Sequence, residues 1–321
     1  MLVDTYNRHF TYLRLSITDL CNFSCKYCLP NNVKFKTKDY LSITEIYNLV
    51  SVLSEFGIQK IRITGGEPTV RRDFIEIGKT IASFKNITSL VFTTNGYKLP
   101  RIAEKAYNAG FNGVNISLDT LNKNKFSVIT GKNYFSTVLQ GIFLALSSGL
   151  NVKVNVVLSK FFLLDDFENF YSLLKYKNLN IRFIEQMETN LINKNYNKTL
   201  ESKILYQFLE KNGWQLLKKK QTDGPANTFI HKNYLGQIGI INPYSSSFCS
   251  SCNRIRISAT GDLFLCLFGG KAYSIRPFLI STNKKNNLKN FIFNKLKHKT
   301  YSHDLFNKQF GLMNNFSSIG G

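Results

Sequence analysis

The sequence predicts an α/β protein in which βα units build a parallel sheet or barrel over residues 10 to about 187, with a smaller, less regular unit from 188 onward. Three observations lead there. Short runs rich in Val, Ile, Leu and Thr alternate with segments whose apolar residues recur at helical spacing, the pattern of strands returned through crossover helices. The strand runs also keep a period of two, one face apolar and the other polar. Beyond 188 the alternation gives way to an irregular pattern, without a low-complexity linker or a short repeat between the parts. At 321 residues, 43% hydrophobic and 19% charged, the chain suits one barrel-sized unit plus a smaller one, or two ordinary domains.

In chain order, the strand candidates are YLRLSITD (12–19), KIRITGG (60–66), SLVFTTNG (89–96), GVNISLD (113–119), NVKVNVVLS (151–159) and NIRFIEQM (180–187). Between the first two, Ile43, Ile46, Leu49, Val50, Leu53 and Phe56 mark one helical stripe. Ser42 and Glu45 form a capping-box pattern at its start and Gly57 closes it. Further helices are expected over 74–84, 99–109, 135–148 and 166–177, with Gly110 and Gly149 as stops. Strand parity sorts the side chains. Leu13, Leu15, Ile17, Ile61, Ile63, Val114, Ile116, Leu118, Val152, Val154 and Val156 form a face for packing helices. The opposite face carries Arg14, Ser16, Arg62, Thr64, Thr93, Asn95, Asn115, Ser117, Lys153, Asn155, Arg182 and Gln186. A filled barrel interior is dominated by Val, Ile and Leu. A polar inner face therefore predicts an open lumen. Its four cations, with Asp119 and Glu67 as nearby acids, predict a polyanionic ligand such as a nucleoside triphosphate.

The N-terminus MLVDTYNRHFTYLRL places polar residues where a secretory signal needs an apolar run. The most apolar long stretch, GIFLALSSGLNVKVNVVL, is interrupted by Ser147, Ser148, Gly149 and Lys153. A cytoplasmic protein is expected, with no membrane partner, and there cysteines serve metals or chemistry more than disulfides. The net charge of +22 raises nucleic-acid binding, with basic stretches at 217–221 and 284–299. Lys, Asn, Ile, Phe and Tyr are abundant together, however, as in chains whose lysines decorate a solvated surface, and no nucleic-acid partner is expected from charge alone.

All six cysteines fall into two groups of three. Cys21, Cys25 and Cys28 are spaced C-x3-C-x2-C directly after the first strand, and Cys249, Cys252 and Cys266 are spaced C-x2-C-x13-C. A structural zinc site takes four protein ligands, and His9, His231, His298 and His303 show no ligand spacing to the first group. Three thiolates hold three corners of a cubane iron–sulfur cluster and leave one iron open for chemistry. For the second group a zinc ribbon remains an alternative, since CxxC opens many of them. RIRISATGDLFLC reads as two strands turning at Thr260-Gly261, which returns Cys266 to the neighbourhood of Cys252 and sets Arg254 and Arg256 on one face.

The first cysteine group, followed by Gly65-Gly66-Glu67-Pro68 at the end of the second strand, resembles the radical S-adenosylmethionine enzymes. Within them the chain resembles the GTP-cyclising family of molybdenum cofactor biosynthesis. LRLSITDLCNFSCKYC, KIRITGGEPTVRRD, FTTNG, NISLD, NVKVNVV, IRFIEQM, FCSSCNRIRIS and the terminal SSIGG carry that likeness over nearly the whole chain. The resemblance implies an incomplete (β/α)6 TIM-type barrel over 1–187 and a C-terminal domain, 188–321, carrying a second iron–sulfur cluster and a Gly-Gly tail. It implies two [4Fe-4S] clusters, held by Cys21, Cys25 and Cys28 and by Cys249, Cys252 and Cys266, with S-adenosyl-L-methionine bound on the first by Tyr27, Gly66, Ser117 and Met187. The implied substrate is GTP, contacted by Arg14, Arg62, Thr93, Lys153, Arg254 and Arg256, nearly the set that strand parity selects. A deoxyadenosyl radical would take hydrogen from ribose C3′, and the carbon radical would then attack guanine C8. Gly320 and Gly321 are implied to reach into the active site and to be needed for activity. Reduced flavodoxin or ferredoxin as electron donor, a homodimer and hand-off to a cyclic pyranopterin monophosphate synthase follow from the same likeness.

Three departures stand out. Leu20 occupies the place of the family's common Arg before the first cluster, LFGGKAYSIRPFL is shorter than usual, and 188–235 matches poorly. The competing readings are a radical enzyme that modifies a peptide and a basic zinc-stabilised nucleic-acid-binding protein.

Overall fold

The alternation read from the sequence becomes a single twisted sheet with helices on its outer face. In the computed structural model, which describes residues 1–28, 39–189, 201–219, 223–245 and 248–312, the first half of the chain runs β1 (Leu2–Val3), β2 (His9–Phe10), β3 (Tyr12–Ser16), α1 (Ile43–Glu55), β4 (Lys60–Thr64), α2 (Phe74–Ala82), β5 (Ser89–Thr94), α3 (Leu99–Asn108), β6 (Gly113–Ser117), α4 (Lys123–Thr130), α5 (Phe135–Ser147), β7 (Asn151–Leu158), α6 (Leu164–Leu174) and β8 (Asn180–Glu185). It continues through α7 (Ser202–Lys211), β9 (Gln215–Leu216), β10 (Asn227–Ile230), β11 (Gln237–Ile241), β12 (Arg254–Ile257), β13 (Asp262–Phe264), β14 (Tyr273–Ser274) and α8 (Lys285–Leu296). Gly320 and Gly321 lie outside the described residues.

Twelve strands join in the order β14-β13-β12-β3-β4-β5-β6-β7-β8-β11-β10-β9. Those from β3 through β8 pair in parallel, as the βα pattern requires. The C-terminal third adds a parallel strand to each side: β12 pairs with β3, and β11 with β8. Antiparallel strands then finish the two edges. The result is an open α/β barrel sheet whose first and last core strands are both capped by the C-terminal region. No described helix is long and apolar enough to cross a membrane.

The apolar parity set is buried against the helices, with Leu13, Leu15, Ile17, Ile61, Ile63, Val114, Ile116 and Val156 all fully covered. Burying such a side chain contributes about 1.5–3 kcal/mol, so this face fixes which side of each strand turns inward. The Ser42–Glu45 capping box forms in both directions, and Gly57, with φ +91°, takes the left-handed turn just after α1. Two boundaries differ from expectation. Helix α6 starts two residues early, because the Asp166 carboxylate accepts from the Leu163 N–H at 2.9 Å and caps that first turn. Helix α4 was not expected; its apolar stripe is short, and its start depends on Asn122 accepting from the N–H groups of Asn124 and Lys125.

Candidate active site

The first cysteine loop hangs from the end of β3 over the C-terminal mouth of the sheet, the end where βα-barrels place chemistry. Backbone contacts hold it there. Gly66 N–H donates to the Thr18 carbonyl at 3.0 Å and Glu67 N–H to that of Leu20 at 2.8 Å. A Cβ at Gly65 would stand 2.2 Å from the Thr18 oxygen, and one at Gly66 2.3 Å from the Leu20 oxygen. Only glycine permits that approach, which explains both glycines of the GGEP turn. Glu67, buried, accepts from the Thr94 hydroxyl, the Asn95 N–H and both donors of Thr69. Burial pushes its carboxyl up, against the pull of those hydrogen bonds. On the other side Phe23 packs on Tyr97, Phe126 and Tyr134. Ser24 and Lys26 donate to the carbonyls of Thr130 and Ile129, so the unexpected α4 is a wall of the cysteine loop.

Cys21, Cys25 and Cys28 border one cavity together with Tyr27, Gly66, Thr93, Ser117 and Met187. The Tyr27 hydroxyl donates to Asp119 at 2.6 Å, and the second oxygen of Asp119 accepts from the Val157 N–H at 2.8 Å. Burial raises the Asp119 carboxyl to about 6, even with those two donors. It also drives the Tyr27 phenol and the Cys25 thiol well above their usual ranges, with Asp119 adding to both.

Asn155, Ile184 and Met187 border this cavity and also a second one beneath it. The second is lined by Cys249, Cys252 and Cys266 and by Arg14, Arg62, Arg182, Arg254 and Arg256. The β12–β13 hairpin turns at Gly261, φ +89°, and pairs Arg256 with Phe264, so Cys266 returns toward Cys252 as expected. Arg254 Nη2 reaches the Cys252 sulfur at 3.9 Å. Burial raises a thiol, but Arg254 and Lys299 outweigh it and bring Cys252 to about 6. The Cys249 carbonyl accepts from Arg8 at 3.0 Å, and Lys299 donates to the Leu265 carbonyl. His303, on no recognisable ligand spacing, also borders this cavity, its Nε2 against the Pro243 carbonyl.

Parallel pairing sets Arg256, Arg14 and Arg62 side by side in one row. Like charges in register repel, and burial drives Arg62 down to about 9, helped by Arg14, Arg182 and Arg254, while Tyr12 opposes the shift. Asn115, with its amide oxygen toward the guanidinium, accepts from Arg62 Nη1 at 2.8 Å. Such a row suits a multiply charged anion. Thr93 and Lys153 are not in it. Thr93 borders the first cysteine cavity. Lys153 lines a third cavity at the N-terminal ends of the strands, with Lys60, Asn115, Asn180 and Arg62, which alone of the arginines touches both. The strands of a barrel are staggered, so residues of one parity lie at different depths. Burial, with Arg182, Lys60 and Arg62, lowers Lys153 to about 7. Tyr12 and Lys60, absent from the sequence-derived site, share the lumen parity of Arg14 and Arg62, the signal that could have found them.

The donor sets fit iron–sulfur clusters. Among the described residues no three His, Cys, Asp or Glu side chains gather as a single metal ion requires. Each cysteine triplet instead borders a shared cavity with open space on its free side.

Comparison with known proteins agrees with this geometry. Residues 15–174 match the model of the radical SAM superfamily, and 179–305 match that of Molybdenum Cofactor Synthesis C. Streptococcus suis SuiB bound to S-adenosylmethionine shares the fold, with TM-score 0.62 at 12% identity over 90% of this chain and 68% of its own. The anSMEcpe enzyme with bound AdoMet superposes with TM-score 0.50 at 19% identity over 62% of this chain and 58% of its own. In sequence the chain is 42% identical to the GTP 3′,8-cyclase of Mannheimia succiniciproducens and 43% identical to that of Haemophilus influenzae, covering 100% of this chain and 96% of each relative. With likeness of that degree over its whole length, the chain belongs to the GTP 3′,8-cyclase family of the radical SAM superfamily.

Proposed function

We propose that this chain converts GTP to 3′,8-cyclo-7,8-dihydro-GTP, the first step of molybdenum cofactor biosynthesis. The observation that carries the reading is the stack of a cysteine-lined cavity on a second cysteine cavity walled by five arginines, joined through Asn155, Ile184 and Met187. Membership of the superfamily implies a [4Fe-4S] cluster and S-adenosyl-L-methionine. Cys21, Cys25 and Cys28 would hold that cluster, and Tyr27, Gly66, Ser117 and Met187, around the same cavity, would bind the cofactor. When bound, the pair supplies a 5′-deoxyadenosyl radical, an agent able to abstract the ribose C3′ hydrogen.

The chain's own part is placement. Arg14, Arg62, Arg254 and Arg256 would bind the triphosphate, with Lys153 reaching it from the far end and Thr93 meeting the ribose near the upper cavity. Charge-assisted hydrogen bonds in a desolvated lumen are strong and directional, so the anion anchors the nucleoside where its C3′ faces the upper cavity. Cys249, Cys252 and Cys266 would hold a second [4Fe-4S] cluster, which would supply an open coordination position for the guanine. Gly320 and Gly321, which lack a side chain, would complete the site. Reduced flavodoxin or ferredoxin as donor, a homodimer, a division into 1–187 and 188–321 and delivery to a cyclic pyranopterin monophosphate synthase belong to the same proposal.

The test is anaerobic. Reconstituted enzyme with reductant, S-adenosylmethionine and GTP should carry about eight irons per chain and yield 5′-deoxyadenosine together with cyclised product. Deuterium should move from C3′ of labelled GTP into deoxyadenosine. Deoxyadenosine without cyclised GTP would sink the substrate assignment and return a peptide to consideration.

A further inference from the structure

The lumen continues past the arginine row to the N-terminal ends of the strands. Lys60 stands two residues before Arg62 on the same face of β4, about 7 Å nearer that end, and Lys153 pairs with Asn115 on one side and Asn180 on the other. These side chains border the third cavity, which Arg62 joins to the second. Arg62 is 7% exposed, whereas Tyr176, on the same cavity, is 70% exposed. One cavity therefore runs from the buried lumen to the protein surface. Phe143, Ser147, Tyr176, Lys177 and Asn178 form its outer lining, with Lys177 Nζ 5.2 Å from the Phe143 ring centroid. Among the described residues that line it there is no carboxylate. Asp223 acts on Lys60 and Lys153 without being part of that lining.

Size decides what this space can hold. Sites for molecules of nucleotide size occupy roughly 300–1,000 Å³. The cavity of Cys249, Cys252 and Cys266 measures about 110 Å³, and the one beyond Arg62 about 890 Å³. With ribose C3′ held toward the upper cavity, the triphosphate has room only along Arg62, Lys60 and Lys153, toward the mouth. Resting on the reading that GTP fills this lumen, we propose that the N-terminal mouth leaves the terminal phosphate of the substrate open to solvent, so that the enzyme also accepts GTP esterified on that phosphate, as alkyl esters or dinucleoside polyphosphates. The cations hold the phosphates by charge-assisted hydrogen bonds. Past them the lining offers amides, a hydroxyl and aromatic rings that open outward. Cyclisation joins ribose C3′ to guanine C8 and breaks no P–O bond, so the outer end of the triphosphate serves as an anchor and takes no part in the chemistry.

Calorimetry on the cluster-loaded enzyme without S-adenosylmethionine compares GTP with two of its γ-phosphate esters, the methyl ester and a triethylene glycol ester. Both esters have lost the same charge, so they differ from each other only in length. They should bind with equal Kd and, once reductant and S-adenosylmethionine are added, be cyclised with equal kcat/KM. Ser147→Trp combined with Asn178→Trp narrows the rim outside the cations, and should weaken the glycol ester by about tenfold while GTP and the methyl ester keep their Kd. The comparison in the wild type decides even if that variant does not fold. A glycol ester bound more weakly than the methyl ester by the wild type overturns the inference. So does a folded rim variant that binds both esters alike, because the added chain would then leave by another opening. If GTP is bound and cyclised while the glycol ester is rejected, only this inference fails. If GTP is not bound, the reading of the lumen fails and the open mouth with it. If GTP and both esters bind alike but none is cyclised, the functional reading fails and the mouth stands.

Discussion

Gly66 shows how a single residue controls the upper site. Its α-carbon faces the backbone of the cysteine loop so closely that a Cβ would stand 2.3 Å from the Leu20 oxygen and 2.5 Å from that of Asp19. Backbone atoms cannot swing aside as a side chain can, so Gly66→Ala must push the loop carrying Cys21 outward. A displacement near 1 Å at a reacting centre costs on the order of 10²-fold. Gly66→Ala should lose at least that much cyclase activity and bind S-adenosylmethionine poorly, while thermal melting stays close to that of the wild type. An unchanged turnover would show that the loop tolerates the shift. At the same scale, Leu20 is 39% exposed where the family commonly carries an arginine.

Among the elements, the N-terminal hairpin β1–β2 does more than begin the fold. Arg8, between its strands, pairs with Asp4 at 2.7 Å and donates to the carbonyls of Cys249, Thr300 and Tyr301. It ties the start of the chain to the second cysteine loop and to the segment after α8. Both ends of the ion pair are buried, and removing one partner from such a pair costs roughly 3–5 kcal/mol. Arg8→Ala should therefore lower the melting temperature markedly and, on anaerobic loading, lose the cluster proposed at Cys249, Cys252 and Cys266 before that at Cys21, Cys25 and Cys28. Loss of both clusters in step would argue that Arg8 acts only on global stability. Helix α4 has a comparable local task, since its last turn holds Ser24 and Lys26 of the first cysteine loop. Its weak periodicity hid it, because packing on the loop, rather than an amphipathic stripe, supports it.

For the whole molecule, the decisive feature is that the C-terminal region completes the barrel sheet. Strand β12 lies beside β3 and β11 beside β8, so Ile255, Ile257, Ile238 and Ile240 are core residues supplied from beyond residue 187. A chain ending at 187 would expose both the β3 and the β8 edges together with the apolar surface under them. Unpaired strand edges of that kind template aggregation. Residues 1–187 expressed alone should be insoluble or collapse without cooperative melting, whereas co-expression with 188–321 should recover soluble material. A soluble fragment with a sharp thermal transition would contradict this.

The sequence by itself was sufficient for the cysteine triplets, the six core strands, the inward parity of Arg14, Arg62 and Arg182, and the Gly-Gly turn. Each of these is a local property: spacing along the chain, a period of two, or a residue type that only one backbone geometry demands. Tertiary structure alone decided that β12 and β11 flank the core strands and that Lys153 sits at the opposite end from the cysteines. Those facts depend on pairing between segments distant along the chain, as Ile181 with Ile238 and Arg14 with Arg256, and on the stagger of strands in a barrel. Neither leaves a trace in any one stretch of sequence, because the partner that defines the environment is elsewhere in the chain.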